Sequence, residues 1–227
     1  MITLKKENEL VYMRKAGKIV ADVLDMIGGI VRPGVTTAEI DRAAEDIIRK
    51  AGATPAFKGY RVPGIPTPFP GAVCASINKE IVHGIPSSAR YLEEGDIISI
   101  DVGACYSGYY GDAACTYPVG MVNGVRRKLL DVTRGSLEKA ISMAKPGNTL
   151  GDLGHAVESF IAPHAFGLVR DYSGHGIGAH LHEPPQIPNY GRPGRGITLK
   201  AGMTLAIEPM VMAGAEEVEV GRDQWVV

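Results

Sequence analysis

Residues 31–48, VRPGVTTAEIDRAAEDII, and residues 144–161, AKPGNTLGDLGHAVESFI, align without a gap. Arg32, Pro33, Gly34, Thr36, Glu39, Ala43 and Glu45 of the first copy correspond to Lys145, Pro146, Gly147, Thr149, Asp152, Ala156 and Glu158 of the second, 113 residues later. In both copies Pro-Gly makes a turn, and a threonine three residues before an acid opens a helix. Repeats that stack into solenoids recur every 20–50 residues or so. A spacing this long marks a duplicated half-domain instead, with a pseudo-twofold axis between the copies.

The flanking sequence supports two equivalent halves. Before the first copy, residues 7–27 place Leu10, Met13, Ala16, Val20, Val23 and Leu24 on one helical stripe, which Gly28-Gly29 weakens. Thr36 and Glu39 form a capping-box pattern, and Ile40, Ala43, Ala44, Ile47 and Ile48 make the inward stripe of the helix that follows. Residues 125–143 and 145–161 read as the matching helix pair. Strand-like runs follow each pair: VCASIN (73–78), DIISIDVGAC (96–105) and AACTYPVG (113–120), then TLAIEPMVM (204–212) and EEVEV (216–220). Strands grouped after helix pairs predict an α+β fold, with helices over one face of a curved, mostly antiparallel sheet. The chain is expected to be one catalytic domain, residues 1–227, with halves of about 1–120 and 121–227.

Composition excludes several function classes. A net charge of −1 gives no basic field for nucleic acid or an anionic membrane surface. Three cysteines, Cys74, Cys105 and Cys115, have no metal-knuckle spacing and read as reduced thiols in a cytoplasmic protein. The start, MITLKKENELVYMRK, lacks an apolar signal region, and no run reaches membrane-spanning length.

Ionisable residues in apolar strand contexts carry the chemical information. Asp101 ends ISID and Asp112 follows YSGYYG, so a hairpin between them sets two carboxylates on one sheet face. Either alone is equally well a turn cap. As a pair they repel unless they share a proton or a metal. Glu208 stands in LAIEPMV and His175 in SGHGIG. Asp101, Asp112, His175 and Glu208 make a carboxylate-rich set with one imidazole, which suits Mn, Fe, Co or Zn in a hydrolytic pair. His83 in IVHGIP and His182 in HLHEPP precede proline-stiffened turns; His155 and His164 read as hydrogen-bonded helix residues, and His180 has no assigned role.

NKEIVHGIP, DIISIDVG, YYGDAACT, SGHGIG, HLHEPP and AIEPMV, in this order and spacing, resemble the type I methionine aminopeptidases from Leu4 onward. The resemblance implies the pita-bread α+β fold and removal of the initiator methionine from nascent polypeptide N-termini, with two divalent metal ions and transient ribosome association. It implies metal ligation by Asp101, Asp112, His175 and Glu208, with Asp112 bridging and Glu208 also a general base. His83 matches a histidine near the substrate amino terminus, and His182 one that contacts the substrate carbonyl. Cys74, Tyr60 and Trp225 fall where that family lines its methionine pocket, and a thioether suits such a lining.

Two departures modify this expectation. In the family the strand containing RDQWVV leads through a hairpin to a final strand bearing a fifth ligand, a bridging glutamate, and no glutamate follows Glu219 here. The expectation is a truncated chain that binds one metal at best and has little activity, or behaves as a non-catalytic binding protein. Separately, RVPGIPTPFPGA (61–72) is longer and richer in proline than the corresponding loop, and Phe69 is placed to replace a pocket aromatic.

Overall fold

A computed structural model describes residues 2–227. The chain divides into two compact units: one comprises Asn8–Asn123, Ala179–Leu181 and Glu219–Val227, the other Gly124–Gly178 and His182–Val218 with the N-terminal segment ending at Glu7.

The first unit opens with α1 (Glu7–Ile30) and α2 (Thr37–Lys50). Helix α1 runs through Gly28-Gly29 rather than weakening there. The reason is packing: a Cβ at Gly28 would stand 3.1 Å from the Tyr117 ring, whose hydroxyl donates to the Leu24 carbonyl at 2.7 Å. Strands β1 (Thr54–Pro55), β2 (Val73–Ile77), β3 (Ile97–Tyr106) and β4 (Tyr109–Pro118) form one antiparallel sheet. β1 and β2 lie end to end along one edge of β3, and β4 takes the other. β4 begins four residues before the expected 113, because its turn falls at Ser107-Gly108. Ile98, Ile100, Val102 and Ala104 of β3 pack with Ile19, Val20, Val23 and Ile27 of α1 and Ile40, Ala44 and Ile48 of α2 into one core.

The second unit repeats the helix pair as α3 (Gly124–Met143) and α4 (Leu150–Ile161). Its strands are short: β5 (Gly167–Leu168) pairs with β9 (Val211–Met212), and β6 (Gly174–Gly176) pairs with both β7 (Glu183–Ile187) and β8 (Leu205–Ala206), all antiparallel. The expected strand 204–212 is thus broken in the middle. Pro209 has no N–H to give a ladder, and the Glu208 carbonyl is taken by the Asn189 side chain at 2.7 Å. Residues 216–220 form no strand among the described residues. Glu216 turns to Arg170 and Val220 is 58% exposed, so the segment has no buried face to fix a register.

The two PG segments are built alike to the level of single hydrogen bonds. Thr36 and Thr149 each cap their helix in a complete capping box, with Glu39 and Asp152 respectively. Gly34 and Gly147 take φ of 87° and 97°, which L side chains rarely adopt. Gly34 N–H donates to Leu92 O and Leu92 N–H to Val35 O; Gly147 N–H donates to Leu199 O and Leu199 N–H to Asn148 O.

Candidate active site

The β3–β4 hairpin sets the carboxylates of the first unit. Ser107 and Gly108 form its turn at φ of 50° and 82°, the left-handed pair that a two-residue hairpin uses to match strand twist. Asp101 lies opposite Ala114, and Asp112 opposite Gly103. Directly opposed residues point to one face, and so do residues two apart, so Asp101 and Asp112 are diagonal neighbours on one face. Ser99 and Thr116, their hydroxyls 2.8 Å apart, share that face, and Cys74 of β2 lies opposite Asp101. The other face of β3 is the apolar core. Alternation along ISIDVGA therefore separates packing from chemistry residue by residue.

Burial pushes the Cys74 thiol up, and the carboxylates of Asp101 and Asp112 push it the same way. Cys74 is thus a neutral, apolar wall rather than a nucleophile. His83 stands nearby in the left-handed region, at φ 60°. Its segment is pinned on both sides: Gly84 exchanges hydrogen bonds with Ala75 and Ser76, while Ile81 N–H donates to Val227 O and Val227 N–H to Val82 O. Burial lowers the His83 pKa, and a hydrogen bond with the Trp225 backbone opposes the shift. The Trp225 ring meets His83 edge-on at 6.4 Å and Phe69 at 5.2 Å between centroids. Its indole N–H donates to Thr67 O at 3.2 Å, which ties the proline-rich 61–72 loop to the chain's last residues. Tyr60 closes the base of that loop through Phe69 N–H to Tyr60 O at 2.9 Å. Phe69 and Trp225 are buried, so the first unit does gather Cys74, His83, Phe69 and Trp225, with Tyr60 at the loop's root.

In the second unit His175 and Glu208 come together, with Nε2 3.2 Å from Oε1. His175 Nδ1 is 2.8 Å from the Gly176 carbonyl, which can only accept, so Nδ1 carries the proton. In a neutral ring Nε2 then turns a lone pair toward a carboxylate. Two acceptors at that distance call for a cation or a second proton between them. A ring N–H committed to a backbone carbonyl is also the usual way a ligating histidine is oriented. The donor set thus fits a divalent ion. His182 follows the exposed turn after β6, its ring centroid 4.3 Å from that of His175. His180 is exposed. Among the described residues, no group of three or more His, Cys, Asp or Glu side chains is drawn into a metal-holding cluster. The structure brings the four expected ligands together as two pairs, Asp101 with Asp112 and His175 with Glu208.

Two supporting residues escaped sequence reasoning. Asn189, 1% exposed, holds the Glu208 carbonyl, and Lys5 forms an ion pair with Glu183, the residue after His182. A lone Asn in IPNY and a lysine in a polar N-terminal run carry no periodic signal.

Residues 11–226 match the model of metallopeptidase family M24. The methionine aminopeptidase of Clostridium acetobutylicum is 49% identical over 227 residues, covering all of this chain and 88% of that protein. The methionine aminopeptidase 1 of Bacillus subtilis is 49% identical over the same length, covering 89% of that protein. The crystal structure of methionine aminopeptidase from Thermotoga maritima matches all of this chain and 88% of its own, with a TM-score of 0.95 and 47% identity. The chain belongs to metallopeptidase family M24, and its fold is the pita-bread α+β fold. It is accordingly a hydrolase of a class that works with divalent metal.

Proposed function

We propose that the chain is a methionine aminopeptidase that removes the initiator methionine from nascent polypeptides. The observation that carries the reading is identity of up to 49% across the whole chain with proteins named for that activity. In this reading Asp101, Asp112, His175 and Glu208 are the residues that would hold divalent metal. The carboxylate-rich set suits Mn, Fe, Co or Zn. Bound metal supplies Lewis-acid chemistry, polarising the scissile carbonyl and making water a better nucleophile near neutral pH.

The remaining roles belong to the chain's own side chains. Glu208 accepts the proton of the attacking water. His182, exposed beside His175, donates to the substrate carbonyl oxygen as negative charge develops there. His83, its pKa lowered by burial, is neutral at physiological pH and meets the substrate near its amino terminus and scissile amide. Cys74, Phe69, Trp225 and Tyr60 line the methionine pocket, where an unbranched thioether packs against thiol and aromatic rings. The protein acts in the cytoplasm, in transient association with the ribosome. No helix of the described residues is long and apolar enough to cross a membrane. A non-catalytic binding role is the weaker reading, since the relatives matching the full chain are named as aminopeptidases.

The test is free methionine release from a Met-Ala-Ser peptide during divalent-metal titration, with Leu-Ala-Ser as control. The expected outcome is metal-dependent release from the first peptide only, abolished by a chelator. Equal release from both peptides, or release indifferent to chelation, overturns the reading.

A further inference from the structure

Lysine is almost never fully buried without a partner, yet the Lys5 side chain is 4% exposed, and its Nζ lies 2.5 Å from Glu183 Oε2, itself on a side chain 11% exposed. Three backbone features are built around this pair. Lys5 N–H donates to Gly202 O at 2.7 Å, so the N-terminal segment is held by its main chain as well. A Cβ at Gly202 would meet the Lys5 carbonyl at 3.0 Å. A Cβ at Gly178 would stand 2.8 Å from Glu183 Oε1 and closer still to Lys5 Cε and Nζ. Gly178 therefore leaves the space that the ion pair fills.

Glu183 is also the residue at which β7 begins, opposite Gly176, where the register shifts between His175 and Gly176. An irregularity leaves the pairing of this short hairpin poorly fixed by its own ladder. The Lys5–Glu183 pair supplies a directional tie one residue from His182 and one pairing step from His175. We propose that Lys5, through Glu183, is a positioning residue for His182 and His175. The N-terminal segment acts as a clasp that sets the β6–β7 hairpin. The part of this proposal that concerns turnover rests on the aminopeptidase reading; the part that concerns the two rings does not.

Three variants separate positioning from stability. Lys5→Met removes the cation beside a mostly buried carboxylate and is expected to lower Tm. Lys5→Met/Glu183→Leu removes both charges and keeps Tm within about 5 °C of the parent. Gly178→Ala keeps both charges but drives its methyl group into the pair. For the double variant and Gly178→Ala, the expected result is a fall in kcat for methionine release of about 10- to 100-fold, with KM changed less than about threefold. In the metal-free chain, imidazole 1H–15N spectra should show His175 and His182 shifted, with His155 and His164 unmoved. Unchanged His175 and His182 signals in both variants overturn the proposal. So does a double variant that unfolds although neither charge remains, which would make the segment a folding requirement instead. If the parent itself releases no methionine, the aminopeptidase reading fails, and the ring shifts alone still decide whether the clasp exists.

Discussion

Helices α2 and α4 occupy equivalent places in the two repeats, and they reach the loop each supports by opposite means. In the first copy Asp41 projects a carboxylate whose Oδ1 accepts the backbone N–H groups of Ala72 and Val73, at 2.7 and 3.1 Å. In the second copy the equivalent residue is Gly154, and the chain comes to the helix instead. A Cβ there would stand 2.2 Å from the Tyr190 carbonyl oxygen and 2.8 Å from that of Pro188. Gly151, equivalent to Ala38, is approached as closely by the Arg192 carbonyl. The loop so fixed contains Asn189, which holds the Glu208 carbonyl; the loop fixed by Asp41 leads into β2 and Cys74. The two segments share the PG turn, the cap and the backbone ladder. What differs is how each helix seats the segment that carries chemistry.

The largest expected effects fall on that divergent chemistry. Asp112→Asn in the first copy and His175→Ala in the second should each reduce methionine release by at least about 10²-fold, more than a merely supporting residue costs. Both should leave the denaturation midpoint nearly unchanged. A variant of either residue that keeps full turnover would mean that its copy contributes scaffold alone.

Next in size is Gly154→Ala. The obstruction is backbone on a packed loop, not a side chain able to swing aside, so about 3 kcal/mol of stability should be lost. Denaturant titration measures this directly. Ala38→Gly, which installs the second copy's residue at the first copy's position, should cost under about 1 kcal/mol. Equal costs would erase the distinction between close approach in one copy and side-chain reach in the other.

Legibility in the sequence followed the same division. The helix pairs, both caps, the hairpin and the shared face of Asp101 and Asp112 were readable because periodicity and turn chemistry are local. The break at Glu208 was harder to read. AIEPMV looks like one apolar strand, but Pro209 gives no N–H to a ladder and the distant Asn189 takes the Glu208 carbonyl. Gly28-Gly29 looked like a helix weakness until Tyr117, far along the chain, filled the space. The pairing of His175 with Glu208 needed β6 and β8 to be neighbours, which no local pattern states.

Asp41 gives a pH-dependent form of the comparison. Burial raises its pKa, and the Val73 and Ala72 N–H groups only partly offset this. A carboxyl whose folded value lies above its unfolded value contributes stability that is full below the unfolded pKa and lost as pH rises through the folded one. Asp41→Asn keeps an oxygen for both N–H groups and drops the charge. It should therefore be more stable than the parent near pH 7, the gap closing as pH falls through the raised folded value toward the ordinary aspartate one. Asp41→Ala leaves both N–H groups without their acceptor and should lose about 2 kcal/mol. Chemical denaturation at several pH values checks both; a gap for Asp41→Asn that widens toward acid would contradict the sign.

The smallest effects test what the copies share. Thr36→Ala and Thr149→Ala should each lose about 1 kcal/mol, the usual worth of an N-cap oxygen. The acids behind them are not equivalent. Glu39 is held below the usual carboxylate range by hydrogen bonds from the Thr36 side chain and backbone. Asp152 is held down by the backbone N–H groups of Thr149 and Gly194, then by the Thr149 hydroxyl. Both contributions are present above the unfolded carboxyl pKa and fade as pH falls through the lowered folded value. Asp152 also closes the 192–195 turn through Gly194 N–H at 2.9 Å, a bond with no counterpart at Glu39. Replacing each acid by its amide should therefore cost more in the second copy, measured as a difference in denaturation midpoint at neutral pH. Equal losses would mean that the Gly194 bond adds nothing to the shared cap.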